Sequence, residues 1–206
     1  AGTAQYTAGK NDVYLKNGKK ITVNGTWTGS STVARITLES YSKGVKVLTG
    51  DTVSANHKRF TVTPDSETGM PWYIDTDGNL NIDEVGVSNE TELENAINGA
   101  TDDKPRVITV TSNFDTIKRF VIPYEKNITI KDDGTRRTLT CKEVSGGHNH
   151  FEVQSGGKLT FRGEITLKGS SFSHGQSQYG LFVNPNGTAE IADNVITVSY
   201  THLRAH

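Results

Sequence analysis

The sequence predicts an all-β fold: a right-handed parallel β-helix, or solenoid, with a short capping helix, preceded by a small β module. Three observations predict this class. Only 33% of the 206 residues are hydrophobic and 21 are glycine, which is typical of short strands joined by tight turns. An alternating apolar pattern occurs three times. One segment alone has a convincing helical pattern.

The repeat is clearest in residues 151–167, FEVQSGGKLTFRGEITL, and residues 181–197, LFVNPNGTAEIADNVIT. Polar residues alternate with the apolar ones, and Gly157 aligns with Gly187 at a turn. We expect successive coils to stack in this thirty-residue register. An antiparallel sandwich is the alternative, but hairpins impose no such register. The aligned apolar pairs are Phe151 with Leu181, Val153 with Val183, Leu159 with Ala189, Phe161 with Ile191 and Ile165 with Val195.

A third copy lies in residues 12–28, DVYLKNGKKITVNGTWT, where Gly18 matches Gly156 and Gly25 matches Gly163. The sequence pattern then changes. Four or five strands are predicted in the segments RITL, VKVLTG, RFTVTP and WYIDTDGNLNI, with a hairpin turn at Asp77-Gly78. We interpret residues 35–83 as a small β module that follows a terminal coil of a preceding β-helix segment, residues 1–34.

The helix is predicted just after this module. Asn89 followed by Glu92 is a capping-box pattern, and Gly99 is placed to end the helix. Leu93, Ala96, Ile97 and Ala100 form one apolar stripe. A helix this short is marginal alone, so we expect it to cover the open end of the first coil of a β-helix segment spanning residues 84–197.

The two ends of the chain carry further expectations. The chain starts at Ala1 with no signal peptide ahead of it, which we interpret as a piece of a longer protein. Residues 198–206, VSYTHLRAH, resemble the conceptual translation of a transposon-derived sequencing adapter. We therefore set these nine residues aside from the fold and treat the β-helix segment as truncated.

The segments VSNETELENAIN, VITVTSNF and NITIKDDGTRRTLT together resemble the start of pectate-lyase-like β-helix domains of bacterial secreted and surface proteins. The block RITLESYSKGVKVLTG with FTVTP and WYIDTDGNL is similar to a module between such solenoids in large adhesin-like proteins. The resemblance covers nearly all of residues 11–197. It implies a β-helix at the cell surface or in the secreted fraction, and it names no substrate.

Composition limits the partners. The formal net charge of −1 gives no basic excess to attract nucleic acid or an anionic membrane surface. No apolar run is long enough to cross a membrane. Cys141 is the single cysteine, so an internal disulfide is impossible. We expect no cofactor, and possible ligands are glycans or matrix proteins of a host or the environment.

Catalysis has one weak pair of candidates. Asp132 and Asp133, in KDDG, resemble the paired aspartates of polygalacturonases, since two carboxyl groups can act as acid and base on a glycosidic bond. The family's Asn-Thr-Asp and Arg-Ile-Lys motifs are missing, and DDG is also an ordinary turn sequence. We assign no catalytic residue.

The binding hypothesis places two loops on one edge, because GGHNH and GSSFSHGQSQYG each precede an equivalent strand. A metal held by the histidines of these loops is a weaker hypothesis than exposed loop histidines, and no metal site is assigned. The residues of this predicted edge are His148, Asn149, His150, His174, Gln176, Gln178 and Tyr179.

Two other patterns have ordinary explanations. The run Asp75, Asp77, Asn79 partly matches a calcium loop, but Leu80 replaces the glycine of its bend, so a hairpin is favoured. Trp72 and Tyr73 can stack on a sugar, although strand aromatics are more often core. The sequence thus favours an adhesin-like or structural repeat protein. A polysaccharide lyase or glycoside hydrolase is the second hypothesis, and a pure scaffold is the third.

Overall fold

The structure, a computed structural model, describes residues 12–102, 104–142, 149–169, 179–192, 195–198 and 202–205. The chain divides into two compact units, one ending at Ile82 and the other beginning at Asp83. Strands that stack in parallel dominate both units. The fold is an all-β parallel solenoid, and its longest described helix has nine residues.

The described residues of the first unit form three small sheets. β1, β3 and β5 form a parallel sheet, β2 and β4 form a second parallel pair, and β6 and β7 form an antiparallel hairpin. The elements are β1 (Asp12–Leu15), β2 (Ile21–Thr22), β3 (Ala34–Leu38), β4 (Leu48–Thr49), α1 (Val53–Asn56), a 3₁₀ turn (His57–Arg59), β5 (Phe60–Val62), β6 (Tyr73–Ile74) and β7 (Leu80–Asn81).

This unit contains both the predicted terminal coil and the predicted β module. Val13 pairs with Ile36 and Leu15 with Leu38, so β3 continues the stack that β1 begins. Leu15, Ile36 and Phe60 share one buried core. Strands on both sides of the change in sequence pattern near residue 35 therefore belong to one compact unit, because β3 pairs with the backbone edge of β1.

The second unit is a three-sided parallel β-helix. One sheet has the order β18-β15-β12-β9-β8, the next β10-β13-β16-β19, and the third β11-β14-β17-β20. Its strands are β8 (Asp83–Val87), β9 (Arg106–Val110), β10 (Phe114–Thr116), β11 (Phe120–Ile122), β12 (Asn127–Asp132), β13 (Arg137–Cys141), β14 (Phe151–Val153), β15 (Lys158–Arg162), β16 (Ile165–Lys168), β17 (Tyr179–Val183), β18 (Thr188–Ile191), β19 (Ile196–Val198) and β20 (His202–Ala205).

The register predicted from the repeat is confirmed. Phe151 pairs with Leu181 and Val153 with Val183 in parallel strands. Leu159 pairs with Ala189 and Phe161 with Ile191 on the next side of the coil. Inward residues thereby stack in columns along the solenoid, and most of these columns are fully buried in one core.

The helix α2 (Glu90–Asn98) covers the apolar core at the start of this unit. Leu93, Ala96 and Ile97 are buried and belong to the same core as the inward strand residues. The Asn89 side chain accepts a hydrogen bond from the Glu92 backbone N–H at 2.9 Å, which confirms the predicted cap. The Glu92 carboxylate accepts from the Ser88 N–H at 2.7 Å, one residue earlier than a standard capping box requires.

Residues 202–205 differ from the sequence-based expectation. This part of the segment that we set aside forms β20, whose Tyr179–His202 and Val183–Ala205 pairs extend the third sheet. Strand pairing uses backbone N–H and C=O groups, which every non-proline residue supplies. The edge of β17 can therefore pair with this segment through backbone groups alone.

Helix length also bears on membrane association. Among the described residues, no helix has the length and apolar character needed to span a bilayer.

Candidate functional site

Tight turns stack on one another at the corner that joins the third sheet to the first. The turn Gln154–Gly157 closes with a 2.9 Å hydrogen bond from the Gly157 N–H to the Gln154 carbonyl, and Asn184–Gly187 closes in the same way. Their third residues have left-handed backbones, with φ of 75° at Gly156 and 62° at Asn186. Glycine and asparagine tolerate this conformation best.

The preceding turn, Pro123–Lys126, follows the same scheme, with Glu125 at φ 63°. The Tyr124 ring lies directly against Gly156, since a Cβ on that glycine would overlap the ring atom Cδ2. Tyr124 is nevertheless 63% exposed. One face of the ring therefore covers the next turn and the remainder faces solvent.

A shallow open depression of about 450 Å³ lies at this corner, and we call it the corner groove. Its lining side chains come from β14 and from the turns that follow β14 and β17. They are Glu152, Gln154, Ser155, Asn184, Pro185 and Asn186. Apart from Pro185, every one of these carries an oxygen or nitrogen that can make hydrogen bonds.

Glu152 organises the floor of the corner groove. Its Oε1 accepts from the Asn184 side-chain amide at 3.0 Å, and its Oε2 lies 2.8 Å from Arg119 Nη1. The same Asn184 amide also donates to the Val153 carbonyl at 3.2 Å. The carboxylate is therefore charge-paired, and its position is fixed by two adjoining coils.

Asp132 is a structural residue of a different corner. Its Oδ1 accepts from the Gly134 N–H at 2.8 Å, and its Oδ2 accepts from the Glu164 N–H on the next coil. Gly163 approaches so closely that a Cβ there would lie 2.5 Å from Asp132 Oδ2. The carboxylate thus ties two stacked turns together, in agreement with the turn interpretation of DDG.

Asp133 points to an arginine on its own coil. Arg137 donates to both carboxylate oxygens, at 2.9 and 2.7 Å. This hydrogen-bonded guanidinium holds the pKa of the Asp133 carboxyl below its usual value. A general acid in a glycosidase needs the opposite shift in pKa.

The prediction that His150 lies on an exposed edge is wrong, because its side chain is completely buried. Its Nε2 lies 3.0 Å from the Thr116 hydroxyl, and its ring packs beside Phe120 and Phe151 at centroid distances of 6.0 and 5.0 Å. The position just before β14 turns into the core, where a polar ring needs a hydrogen-bond partner.

Two other members of the predicted edge are described. Tyr179 begins β17, is half-buried, and accepts a 3.0 Å hydrogen bond on its carbonyl from the His150 N–H. Asn149 is also half-buried. His148, His174, Gln176 and Gln178 lie outside the described residues, so binding by the two loops stays a prediction.

The Asp75 loop is a hairpin, as predicted. Asp75 Oδ1 accepts from the N–H groups of Asp77 and Asn79 at 3.0 and 2.8 Å, and Gly78 is left-handed. Burial acts to raise the pKa of Asp75, but these hydrogen bonds outweigh it and the pKa is lowered. Trp72, the predicted aromatic candidate, packs on the core of its unit and lies 6.1 Å from Tyr41.

Within the described ranges, no group of three or more His, Cys, Asp or Glu side chains is placed to hold a metal ion.

Sequence reasoning missed the corner groove. The sequence signal that could have indicated the groove is the alignment of QSGG with NPNG at the same position of the repeat. We used this alignment only to locate turns. Outward residues at equivalent positions of stacked coils lie side by side, so Gln154 and Asn184 share one surface. No protein-family model matches the chain, and the comparisons with curated proteins and with solved structures likewise find no match.

Proposed function

We propose that this chain is an adhesin-like or structural β-helix repeat protein that works at the cell surface or after secretion, and that it is not an enzyme. The observation that carries the proposal is the corner groove, an open surface with exposed polar side chains on a regular stack of coils. Rigid repeats that display side chains along their length suit extended ligands. Glycans and matrix proteins are ligands of this kind.

The two aspartates support the same proposal. Asp132 uses both oxygens to hold backbone N–H groups of two turns, and Asp133 is paired with Arg137. A glycosidase needs one carboxyl group that stays protonated near neutral pH. The lowered pKa of Asp133 favours the ionised form instead, which weakens the hypothesis of a polysaccharide lyase or glycoside hydrolase.

One paired assay tests the proposal. The 206-residue chain is incubated with pectin and polygalacturonate while new reducing ends are measured, and its binding to immobilised glycans and matrix proteins is measured in parallel. We expect no new reducing ends. Binding without turnover supports the adhesin-like role, and the absence of both supports the structural role.

The contradictory result is turnover that depends on the aspartates. Reducing ends that appear with the wild-type chain and disappear in both Asp132→Asn and Asp133→Asn would show that the protein is an enzyme. Circular dichroism of each variant separates a lost activity from a lost fold. Asn98→Ala, at an exposed helix position, is the control that should change neither readout.

A further inference from the structure

We propose that the corner groove is a binding subsite for a neutral saccharide. The inference rests on the proposed function and names the ligand class of one surface. It starts from three exposed groove side chains, Gln154, Ser155 and Asn186, which make no hydrogen bond among the described residues. Amides and hydroxyls both donate and accept hydrogen bonds, which matches the mixed donor and acceptor character of sugar hydroxyls.

The charge of the groove disfavours an acidic ligand. Glu152 is the charged lining residue, and its carboxylate is neutralised by Arg119 at 2.8 Å and fixed by Asn184 at 3.0 Å. No lining side chain is positive. A uronic acid or a phosphate would bring its negative charge near Glu152, and the lining residues include no positive side chain to receive it.

Two backbone N–H groups at the groove are already paired. The Gly157 N–H donates to Gln154, and the Gly156 N–H donates to Asn186 in the next turn. An extended peptide that binds by strand addition needs unpaired backbone groups. The groove offers side chains instead, so a saccharide fits it better than a peptide strand.

An aromatic ring flanks the groove. Tyr124 is 63% exposed and lies against Gly156, the residue that follows groove residue Ser155. An amphipathic ring beside polar side chains is the combination that recognises a sugar, which has an apolar face and hydroxylated edges. The shallow shape of the groove suits part of a chain that continues past it.

The test uses cellohexaose, maltohexaose and mannohexaose as neutral probes and hexagalacturonate as the acidic probe, with binding to the full chain measured by calorimetry. We expect at least one neutral probe to bind more tightly than hexagalacturonate. Gln154→Ala combined with Asn186→Gly should weaken that binding about tenfold, because two hydrogen-bonding amides are lost. Glycine keeps the left-handed turn at residue 186.

Matched variants keep the test decisive. Asn98→Ala removes an exposed amide far along the chain, on α2, and should leave the dissociation constant within about twofold. Tyr124→Ala should weaken neutral binding, and Gln154→Ala alone replaces the double variant if thermal unfolding shows that the double variant is not folded.

Several results would overturn the inference. These are the failure of all three neutral probes to bind, tighter binding of hexagalacturonate, or wild-type affinity in the groove variants. If a matrix protein binds while none of the neutral probes does, the inference is overturned and the proposed function is left intact. Only shortened probes, detected as new reducing ends, would contradict the proposed function itself.

Discussion

Single side chains connect one coil of the solenoid to the next. Asp132 holds the N–H of Glu164 in the following coil, and Glu152 holds the amide of Asn184 in the same manner. Hydrogen bonds to a charged group stabilise a fold more than those between neutral groups, typically by about 1.5–3 kcal/mol. These half-buried carboxylates therefore hydrogen-bond one coil to the next.

Asp133 gives a pH-dependent prediction at this scale. Arg137 lowers the pKa of Asp133 in the folded chain, so the ionised carboxylate favours folding above its unfolded pKa of about 4. That contribution is lost as pH falls below about 4 and through the folded pKa. We expect Asp133→Asn to lower the urea midpoint at pH 7, and the difference from wild type to shrink at pH 3.

The contribution is small because the pair is exposed and screened by solvent. Urea midpoints of both proteins at several pH values measure it. A difference that grew as the pH fell would contradict the assignment.

Corners and caps are the elements that give the chain its regular path. Residues 16–19 make the same turn in the first unit as residues 154–157 make in the second, with the Lys19 N–H 3.0 Å from the Lys16 carbonyl. Gly18 and Gly156 have φ of 74° and 75°, and Gly25 and Gly163 have φ of 79° and 71°. The glycine matches in the sequence thus correspond to equal backbone conformations.

The helix cap gives the prediction for this scale. Asn89→Ala removes the side chain that accepts the Glu92 N–H, and we expect the free energy of unfolding to fall by about 1 kcal/mol. Asn98→Ala, at the exposed last residue of α2, should change it by less than about 0.5 kcal/mol. Chemical denaturation measures both, and equal effects would contradict a capping role for Asn89.

Many of the turns and the helix cap could be predicted from the sequence, because they depend on the chemistry of neighbouring residues. Asn89, Gly99 and the Asp77-Gly78 turn were identified from their residue types, and each lies where it was expected. The burial of His150 could not be predicted in this way. Residues 150 and 151 are both buried, which breaks the two-residue alternation on which the prediction depends. Burial there is set by the path of the chain into β14.

At the scale of the whole molecule, columns of inward side chains hold the second unit together. Phe161 is fully buried and packs edge-on against Phe151, with ring centroids 5.2 Å apart. Ile130 and Ile191 lie on either side of Phe161 in the same column. The end of that column is more open, since Ile191 is 44% exposed.

This difference in exposure predicts that substitutions within one column reduce stability by different amounts. Phe161→Ala should lower the free energy of unfolding by about 3–5 kcal/mol, because it leaves a cavity between two coils. Ile191→Ala should cost clearly less, since much of that side chain is already in solvent. Denaturant unfolding compares the two, and similar losses would contradict a core centred on Phe161.

The stacking register was predictable for a physical reason, whereas the groove was not. Inward positions must be apolar, so pairs such as Phe151 with Leu181 are visible in the sequence. Outward positions may carry any polar residue, and nothing local distinguishes Gln154 or Asn186 from an ordinary solvated turn. Only the placement of neighbouring coils brings those side chains into one surface.

The repeat length of the later coils, about thirty residues, has an evolutionary consequence. Phe120 pairs with Phe151 and Phe151 with Leu181, at separations of 31 and 30 residues. An in-frame duplication of a DNA segment of that length would insert one more layer with its own partners already in phase. Recombination between such copies would lengthen or shorten the protein stepwise, while each layer remained free to diversify its outer surface.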